Sequence, residues 1–378
     1  MIGLQMRPNN CAQPYTDAQK LLAMQWYYYS ASCYDRMRQT GLQLPHPRTV
    51  EKWVAKYDVA PGFIELSFQD LEKDLKTLPP EAKLCNVKWD EMSCKEFEEY
   101  SSKHDLIVGF EDLGPLGITQ NRANHVFVFT LNGIHTSYRW RQVVGFFFAR
   151  HSVNRKNIVI LLKMMLDKGE EIGLDIRMTV CDQGTRNIKC YNLLKVTAQK
   201  PSFEHNGEQI IFIHDCYHEV TNLVNALLKY GKIFMNGKVL YLSDMKATWD
   251  ADQRGKLSNN LNHITEVHFY PNSFQKMNVE RSRHLFGGKL AKAMIEAHEK
   301  GLVVSETLLE SAECILVINR LTDAADSNKT RDINPLKSAL PTENVESRAV
   351  VEDFLSWAPS LKVLGKNGCM KTLPCLMV

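Results

Sequence analysis

Residues 16–57 have the hydrophobic pattern of three short helices, separated by Gly41 and by Pro45 and Pro47. Thr49 is the predicted N-cap of the third helix. Basic residues lie on the last two helices: Arg36, Arg38, Arg48, Lys52 and Lys56. The arrangement is similar to a helix-turn-helix that contacts phosphates. A small helical packing module with a solvated basic face explains it equally well.

Short apolar runs bounded by turn residues begin at residue 83 and predict strands. These runs are KLCNVKWD, DLIVGFED, NHVFVFTLNG and QVVGFFFA. A helix ending at Gly173 is predicted next, then the strand LDIRMTVCDQG, a short helix near 188–198, the strand EQIIFIHD and the helix HEVTNLVNALLKYG. This order predicts an α/β fold close to that of ribonuclease-H-like nucleases, although other α/β folds share it.

The pattern changes again after this last helix. Residues 232–320 are predicted to be mostly helical, with polar breaks such as 247–260. Residues 321–347 are rich in Asp, Asn, Ser, Thr and Pro, which indicates an exposed loop or linker. A last helix is predicted over 347–358.

Composition narrows the function classes without choosing one. The chain has 378 residues, enough for two or three domains, and its net charge of +3 predicts only a local basic surface. Ten cysteines without a C-x-x-C pair, and no apolar signal peptide, favour reduced intracellular thiols. No run approaches the roughly 18 apolar residues of a membrane span, so we expect no membrane association.

Two aspartates follow apolar runs and are the candidate chemical groups. Asp90 is predicted to end one strand and Asp182 another. Acids at strand ends gather at one edge of a sheet, where they can hold Mg²⁺ with water and phosphate oxygens. An ordinary loop cap is the structural alternative for each.

A third predicted strand end carries His214, Asp215 and His218. The two histidines are four residues apart, which raises the possibility of a zinc site. No glutamate stands where a metalloprotease helix carries its base, and His214 is predicted to lie in the strand, so we do not favour zinc.

Five blocks in consistent order resemble the P element transposase family. They are YYYSASCYDRMRQTGLQLPHPRTVEKW, WDEMSCKEF followed by LIVGFEDLG, YRWRQVVGFFF, VCDQGTRN and HDCYHEVTNLVNALL. The resemblance implies a helical module in residues 1–62, the N-terminal part of a ribonuclease-H-like domain in 63–218, and an incomplete, mostly helical GTP-binding insertion in 219–378. It also implies DNA transposon ends as a partner, a homo-oligomer and nuclear localisation.

The same resemblance assigns the acids. Asp90 matches the first catalytic Mg²⁺ ligand of the family and Asp182 the second, whereas Glu91 has no assigned role. Asp215 and His218 match the block at which the insertion interrupts the nuclease fold.

Two departures from the family pattern set the functional expectation. No zinc-binding THAP pattern precedes residue 20, and no block resembling Asp-Cys-Leu-Glu-x-Phe-Phe-Gly supplies the third acid. We therefore expect a transposase fragment that is inactive alone and has an incomplete GTP pocket. The alternative is a non-enzymatic DNA-binding or oligomerising protein derived from a transposase.

Overall fold

The computed structural model describes residues 14–55, 59–101, 105–135, 137–197, 199–258, 261–325, 334–337, 345–364 and 369–372. The chain divides into two compact units, Met1–Ala60 and Pro61–Val378. Among the described residues, no helix is long and apolar enough to cross a membrane.

The N-terminal unit contains the predicted helices α1 (Asp17–Tyr29), α2 (Ala31–Gln39) and α3 (Pro47–Val54). Thr16 begins α1 with a capping box, in which its hydroxyl and the Gln19 side chain each accept a backbone N–H. The three helices share a small core formed by Ala23, Tyr34, Leu44 and Val50.

The predicted cap of α3 is wrong. His46 precedes the helix, and its Nδ1 accepts the backbone N–H of Arg48. Pro47 occupies the first helical position, where its fixed φ favours the start of a helix and its missing N–H costs nothing. Thr49 therefore lies inside α3. Lys56, the last predicted basic residue, lies outside the described residues.

The first half of the second unit is built on one large sheet. Its elements are β1 (Gly62–Phe63), α4 (Glu65–Leu75), β2 (Leu84–Ser93), β3 (Glu99–Ser101), β4 (Leu106–Val108), β5 (Phe110–Asp112), β6 (Ile118–Arg122), β7 (His125–Gly133), β8 (Arg141–Ala149), α5 (Arg155–Glu171), β9 (Asp175–Cys181), α6 (Thr185–Leu194), β10 (Ser202–His205) and β11 (Glu208–His214). The sheet order is β10-β11-β9-β2-β7-β8-β5-β6, and β1 also pairs with β8. Strands β2, β7 and β8 are mutually antiparallel, whereas β9 runs parallel to both β2 and β11. This mixed sheet confirms the predicted α/β class.

The sheet is held to its helices by an aromatic core. Trp89, Phe127, Phe129 and Phe147 are fully buried and occupy alternate positions on β2, β7 and β8. They belong to one cluster with buried aliphatic side chains of α5. The two-residue alternation of strands brings these rings to one face, which fixes the register of the sheet.

Several predicted boundaries move in this half. The run DLIVGFED is split into β4 and β5 at Gly109, whose φ of +114° interrupts the strand. The helix predicted near 188–198 begins earlier, at Thr185, and ends at Leu194. The short strands β3, β6 and β10 were not predicted, because their sequences lack long apolar runs.

The second half of this unit is mostly helical but also contains a small sheet. Its elements are α7 (Cys216–Tyr230), β12 (Lys232–Met235), β13 (Lys238–Tyr241), α8 (Leu242–Gln253), α9 (Glu266–Phe269), α10 (Val279–Leu285), α11 (Gly288–Glu299), α12 (Leu308–Ala325), α13 (Val345–Trp357), β14 (Lys362–Leu364) and β15 (Met370–Thr372). The strand order of the small sheet is β13-β12-β14-β15. A second hydrophobic cluster fills this half.

Two predictions for this half need correction. The polar break at 247–260 is helical as far as Gln253, because Ala251 and other residues of α8 are buried. The predicted loop 321–347 begins inside α12, which continues to Ala325. Residues 326–333 and 338–344 of that loop lie outside the described residues.

Candidate acidic site

Asp90 lies within β2 rather than at its end. The prediction is wrong because β7 pairs with β2 as far as Ser93, which keeps the chain extended beyond the apolar run. On its other side β2 pairs with β9 only as far as Lys88, opposite Val180. Asp90 is therefore placed where β2 passes the carboxyl end of β9.

Asp182 directly follows the last residue of β9, as predicted. Its Oδ1 accepts the backbone N–H of Gly184 at 2.9 Å and the side-chain N–H of Asn187 at 2.6 Å. A Cβ on residue 184 would lie 3.0 Å from the same oxygen, so glycine permits this close turn. These contacts fix the direction of the carboxylate.

Asn187 links this acid to the core of the sheet. Its Oδ1 accepts the indole N–H of Trp89 at 3.1 Å, while its Nδ2 donates to Asp182. Trp89 is buried and immediately precedes Asp90 in β2. The two strands that carry the acids are thus joined by one amide from α6.

The two predicted acids influence each other electrostatically. Partial desolvation is the largest cause that raises the pKa of Asp90, and the charge of Asp182 raises it further. The backbone N–H of Glu91, together with His218 and Lys88, acts in the opposite direction. Two carboxylates that disfavour each other's ionisation are a setting in which a divalent cation is stabilised.

Glu91 has a structural contact. Its Oε1 accepts the backbone N–H of Val153 at 2.9 Å, at the turn before α5. The side chain therefore holds a loop beside the strand and does not turn into solvent.

The group His214, Asp215 and His218 does not form the zinc site considered from the sequence. His214 is the last residue of β11, as predicted, and its Nδ1 lies 2.8 Å from the hydroxyl of Tyr191. Burial lowers the pKa of His214 to about 4. No group of three or more His, Cys, Asp and Glu residues suited to a metal is found within the described part of the chain.

Asp215 has two structural partners. Its Oδ1 caps α7 by accepting the backbone N–H of Tyr217 at 3.1 Å, and its Oδ2 accepts from Lys88 of β2. Burial opposes ionisation, but the hydrogen bond and charge of Lys88 outweigh it and lower the pKa of Asp215.

Glu219 was not predicted from the sequence to be a site residue. It lies in the first turn of α7, is only 7% exposed, and neither carboxylate oxygen has a hydrogen-bond partner. Burial, followed by the charges of Asp182 and Asp215, raises its pKa to about 9. The helical spacing could have identified it, because Glu219 is four residues before the buried Leu223 and therefore lies on the apolar face of the helix.

Mg²⁺ is compatible with the two predicted acids. This cation commonly uses one or two protein carboxylates and completes its octahedron with water and phosphate oxygens. Asp90 and Asp182 supply such a pair, and the unpartnered Glu219 carboxyl adds a buried acidic group beside Asp182. The fit is to a cation held mainly by water and two carboxylates, since a closed protein cage is not formed by the described residues.

Two family models match parts of this chain. The family model "Transposable element P transposase-like, HTH domain" matches residues 3–53, and the model "TNP-like, RNase H N-terminal domain" matches residues 59–195. The second range includes Asp90 and Asp182. Within these two ranges the chain is similar to P-element transposases. The resemblance inferred from the five sequence blocks is therefore confirmed, as is the ribonuclease-H-like character of the sheet.

One curated protein and one solved structure extend the comparison. The "Transposable element P transposase" of Drosophila melanogaster is 24% identical over 297 residues, which cover 78% of this chain and 36% of that protein. The chain thus spans about a third of the length of this curated relative. A structure of the "Drosophila P element transposase strand transfer complex" matches with a TM-score of 0.74 and 20% identity, covering 100% of this chain and 79% of that one. The structural match supports the fold.

Proposed function

We propose that this chain is a transposase fragment that binds DNA and holds Mg²⁺ with Asp90 and Asp182, two ligands of a site for DNA cleavage and strand transfer, and that it is inactive alone because the third acid of that site is missing. The observation that carries the proposal is that Asp182 follows the end of β9, the strand that pairs with the Asp90 strand β2. Besides burial, the charge of Asp182 raises the pKa of Asp90. The matches to P-element transposase domains support this assignment.

The residues of the site have separate parts in this proposal. Bound Mg²⁺ supplies a Lewis acid that activates the attacking oxygen and stabilises the leaving oxygen in phosphoryl transfer. Asp90 and Asp182 hold the cation, and Asn187 keeps Asp182 in a fixed orientation. A water or a 3′ hydroxyl is the nucleophile.

The N-terminal unit is the proposed contact for DNA. Arg36, Arg48 and Lys52 are exposed on α2 and α3, where they can meet phosphates. Arg38 has a structural contact instead, because its Nε donates to the carbonyl of Leu44 at 3.3 Å. Transposon ends as the DNA partner, a homo-oligomer and nuclear localisation belong to the same proposal.

The family resemblance also raises a third reading, a guanine-nucleotide-binding module in residues 219–378, whose incomplete insertion is expected to lack part of the pocket. Its test is the thermal unfolding midpoint with and without GTP, since a ligand that binds only the folded state raises that midpoint. An unchanged midpoint at millimolar GTP would contradict it.

Nicking of supercoiled plasmid DNA with Mg²⁺ or Mn²⁺ tests the nuclease assignment. The parent chain alone is expected to bind DNA without nicking it, and any divalent-cation-dependent nicking should fall on the order of 100-fold or more in Asp90→Asn and Asp182→Asn while DNA binding persists, because each change removes a cation ligand. Asp70→Asn on the exposed surface of α4 is the matched control and should nick like the parent chain.

The same assay separates the two readings made from the sequence. Divalent-cation-dependent nicking that both site variants abolish supports the transposase activity. DNA binding by the parent chain without nicking agrees with a missing third acid, whereas Mn²⁺ affinity that both site variants leave unchanged would contradict the cation site and favour the non-enzymatic DNA-binding alternative.

A further inference from the structure

Glu219 is held close to the acidic site by a short series of backbone contacts. The backbone N–H of Asp215 donates to the carbonyl of Cys181 at 2.9 Å, which ties the start of α7 to the end of β9. Asp182 is the next residue after Cys181. One turn later the backbone N–H of Glu219 donates to the carbonyl of Asp215 at 3.2 Å.

The surroundings of Glu219 are unusual for a structural glutamate. Its side chain is 93% removed from solvent, and both carboxylate oxygens lack a hydrogen-bond partner. A buried polar group without a partner costs free energy, and a buried charge costs more. Apolar side chains occupy the same face of α7, at Val220, Leu223, Val224 and Leu227, and any of these types would avoid that cost.

Besides burial, two nearby aspartates raise the pKa of the Glu219 carboxyl. Asp182 acts on the Glu219 carboxyl more strongly than any other charged residue, and Asp215 follows. Asp215 already has Lys88 as its cationic partner. The Asp182 carboxylate accepts from neutral N–H groups, those of Gly184 and Asn187.

We propose that Glu219 is a third acidic group of the cation site and that it binds the water shell of a divalent cation held by Asp90 and Asp182. This inference rests on the proposed function, since it needs a cation at that pair. The described residues do not bring three such ligands directly together, and both Glu219 carboxylate oxygens are closed to solvent, so this contact requires a change of the Glu219 side-chain rotamer when the cation binds. Mg²⁺ keeps several of its waters in protein sites, and these waters donate to nearby carboxylates.

The test is the affinity of the full chain for Mn²⁺, measured by the electron paramagnetic resonance signal of the free ion. Glu219→Gln is expected to weaken Mn²⁺ binding on the order of tenfold, the usual effect of losing an outer-shell partner. Glu219→Leu should weaken it at least as much, while Leu suits the apolar face of α7 and keeps the chain folded. Glu299→Gln, an exposed change on α11, should bind like the parent chain.

Thermal unfolding with and without Mn²⁺ supplies the second readout. The stabilisation by Mn²⁺ should shrink in both Glu219 variants, whereas their midpoints without the cation should be equal to or above the parent value. Unchanged Mn²⁺ affinity in both variants, whatever their midpoints, would overturn the inference and leave Glu219 as a core residue. Absence of Mn²⁺ binding by the parent chain would instead contradict the cation-site proposal itself, and this inference with it.

Discussion

At the scale of single residues, a neutral side chain decides how the acidic site is oriented. Asn187 uses its amide oxygen for the Trp89 indole and its amide nitrogen for Asp182. Trp89 is 1% exposed, so no bulk water can replace its acceptor. The direction of the Asp182 carboxylate therefore depends on a residue that carries no charge.

Asn187→Ala should lower both stability and cation affinity. The buried indole N–H would lose its acceptor, and the free energy of unfolding should fall by about 1–3 kcal/mol in urea titrations. Mn²⁺ affinity should fall on the order of tenfold, because Asp182 loses one of the contacts that orient it. Asn192→Ala, at an exposed position of the same helix, is the control. Equal Mn²⁺ affinity in both variants would show that Asn187 does not position the acid.

Only part of this site could be predicted from residues alone. Asp182 was found because an apolar run ends immediately before it, and Asp90 because it follows Trp89 in a similar run and in the family block. Asn187 contacts Trp89 and Asp182 only after α6 packs on the strands. Glu219 is buried only after α7 packs. Their roles depend on contacts between distant segments, which hydrophobic periodicity does not report.

At the scale of elements, the start of α7 is fixed by an ion pair across the sheet. Asp215 caps this helix and also accepts from Lys88 of β2, and their side chains are 11% and 39% exposed. The partly buried position makes the pair stronger than a surface ion pair. The family block that contains Asp215 therefore has a structural contact in this chain.

Asp215→Asn should retain the cap oxygen but lose the ion pair with Lys88. The expected decrease in the free energy of unfolding at pH 7 is roughly 1–2 kcal/mol. The pKa of Asp215 is lowered in the folded chain, so this stabilisation is present above the unfolded-state pKa near 4 and is lost as the pH falls further. Urea titrations from pH 7 to pH 3 should show the difference between parent and variant closing.

A double-mutant cycle provides the control for this pair. Once Lys88→Met has removed the lysine ammonium, Asp215→Asn should lower the free energy of unfolding little further, because the ion pair is already absent. Additive effects of the two changes would contradict the assignment.

A histidine cluster between α9 and α10 gives the helical half a dependence on pH. His268 is 7% exposed, and its Nε2 lies 3.1 Å from His284 Nδ1. Burial, then the charges of His284, Arg281 and His263, lower its pKa to about 4, against the opposing hydrogen bond to the Thr265 backbone. The folded chain therefore resists protonation that the unfolded chain accepts near pH 6.5.

Stability should consequently fall as the pH drops from about 6.5 towards 4, by up to roughly 3 kcal/mol. His268→Gln should make this part of the profile less steep in urea titrations between pH 7 and pH 4.5, because one titrating group is gone while His214, whose pKa burial also lowers to about 4, remains. His298→Gln, at an exposed position of α11, should leave the profile unchanged. A parent-like slope in the His268 variant would assign the pH dependence to other groups.

Elements with strong periodicity were predicted better than short polar ones. Strands β7 and β8 and helix α5 have long apolar patterns, and the structure places them within two residues of the predicted bounds. The hairpin of β12 and β13 was not predicted, because each strand has only four residues and their turn, Asn236 and Gly237, lies in a region dominated by helices. Tertiary packing decides such short strands.

At the scale of the whole molecule, the two units have separate hydrophobic clusters. The cluster around Ala23, Tyr34 and Val50 belongs entirely to Met1–Ala60, and the two larger clusters belong to Pro61–Val378. A unit with its own core can in principle fold by itself. The proposed DNA contact lies in the first unit and the acidic site in the second.

Removal of residues 1–60 should therefore separate DNA binding from cation binding. The remaining chain should keep its thermal unfolding midpoint within about 3 °C, since its clusters are intact, and it should keep its Mn²⁺ affinity. Its affinity for DNA should fall on the order of tenfold or more and depend less steeply on salt, because the exposed Arg36, Arg48 and Lys52 are lost. Replacing these three residues by Gln in the full chain is the matched control and should weaken DNA binding in the same way. A large decrease in the midpoint or in Mn²⁺ affinity after the truncation would contradict the independence of the second unit, whereas unchanged DNA affinity in both chains would place the DNA contact elsewhere.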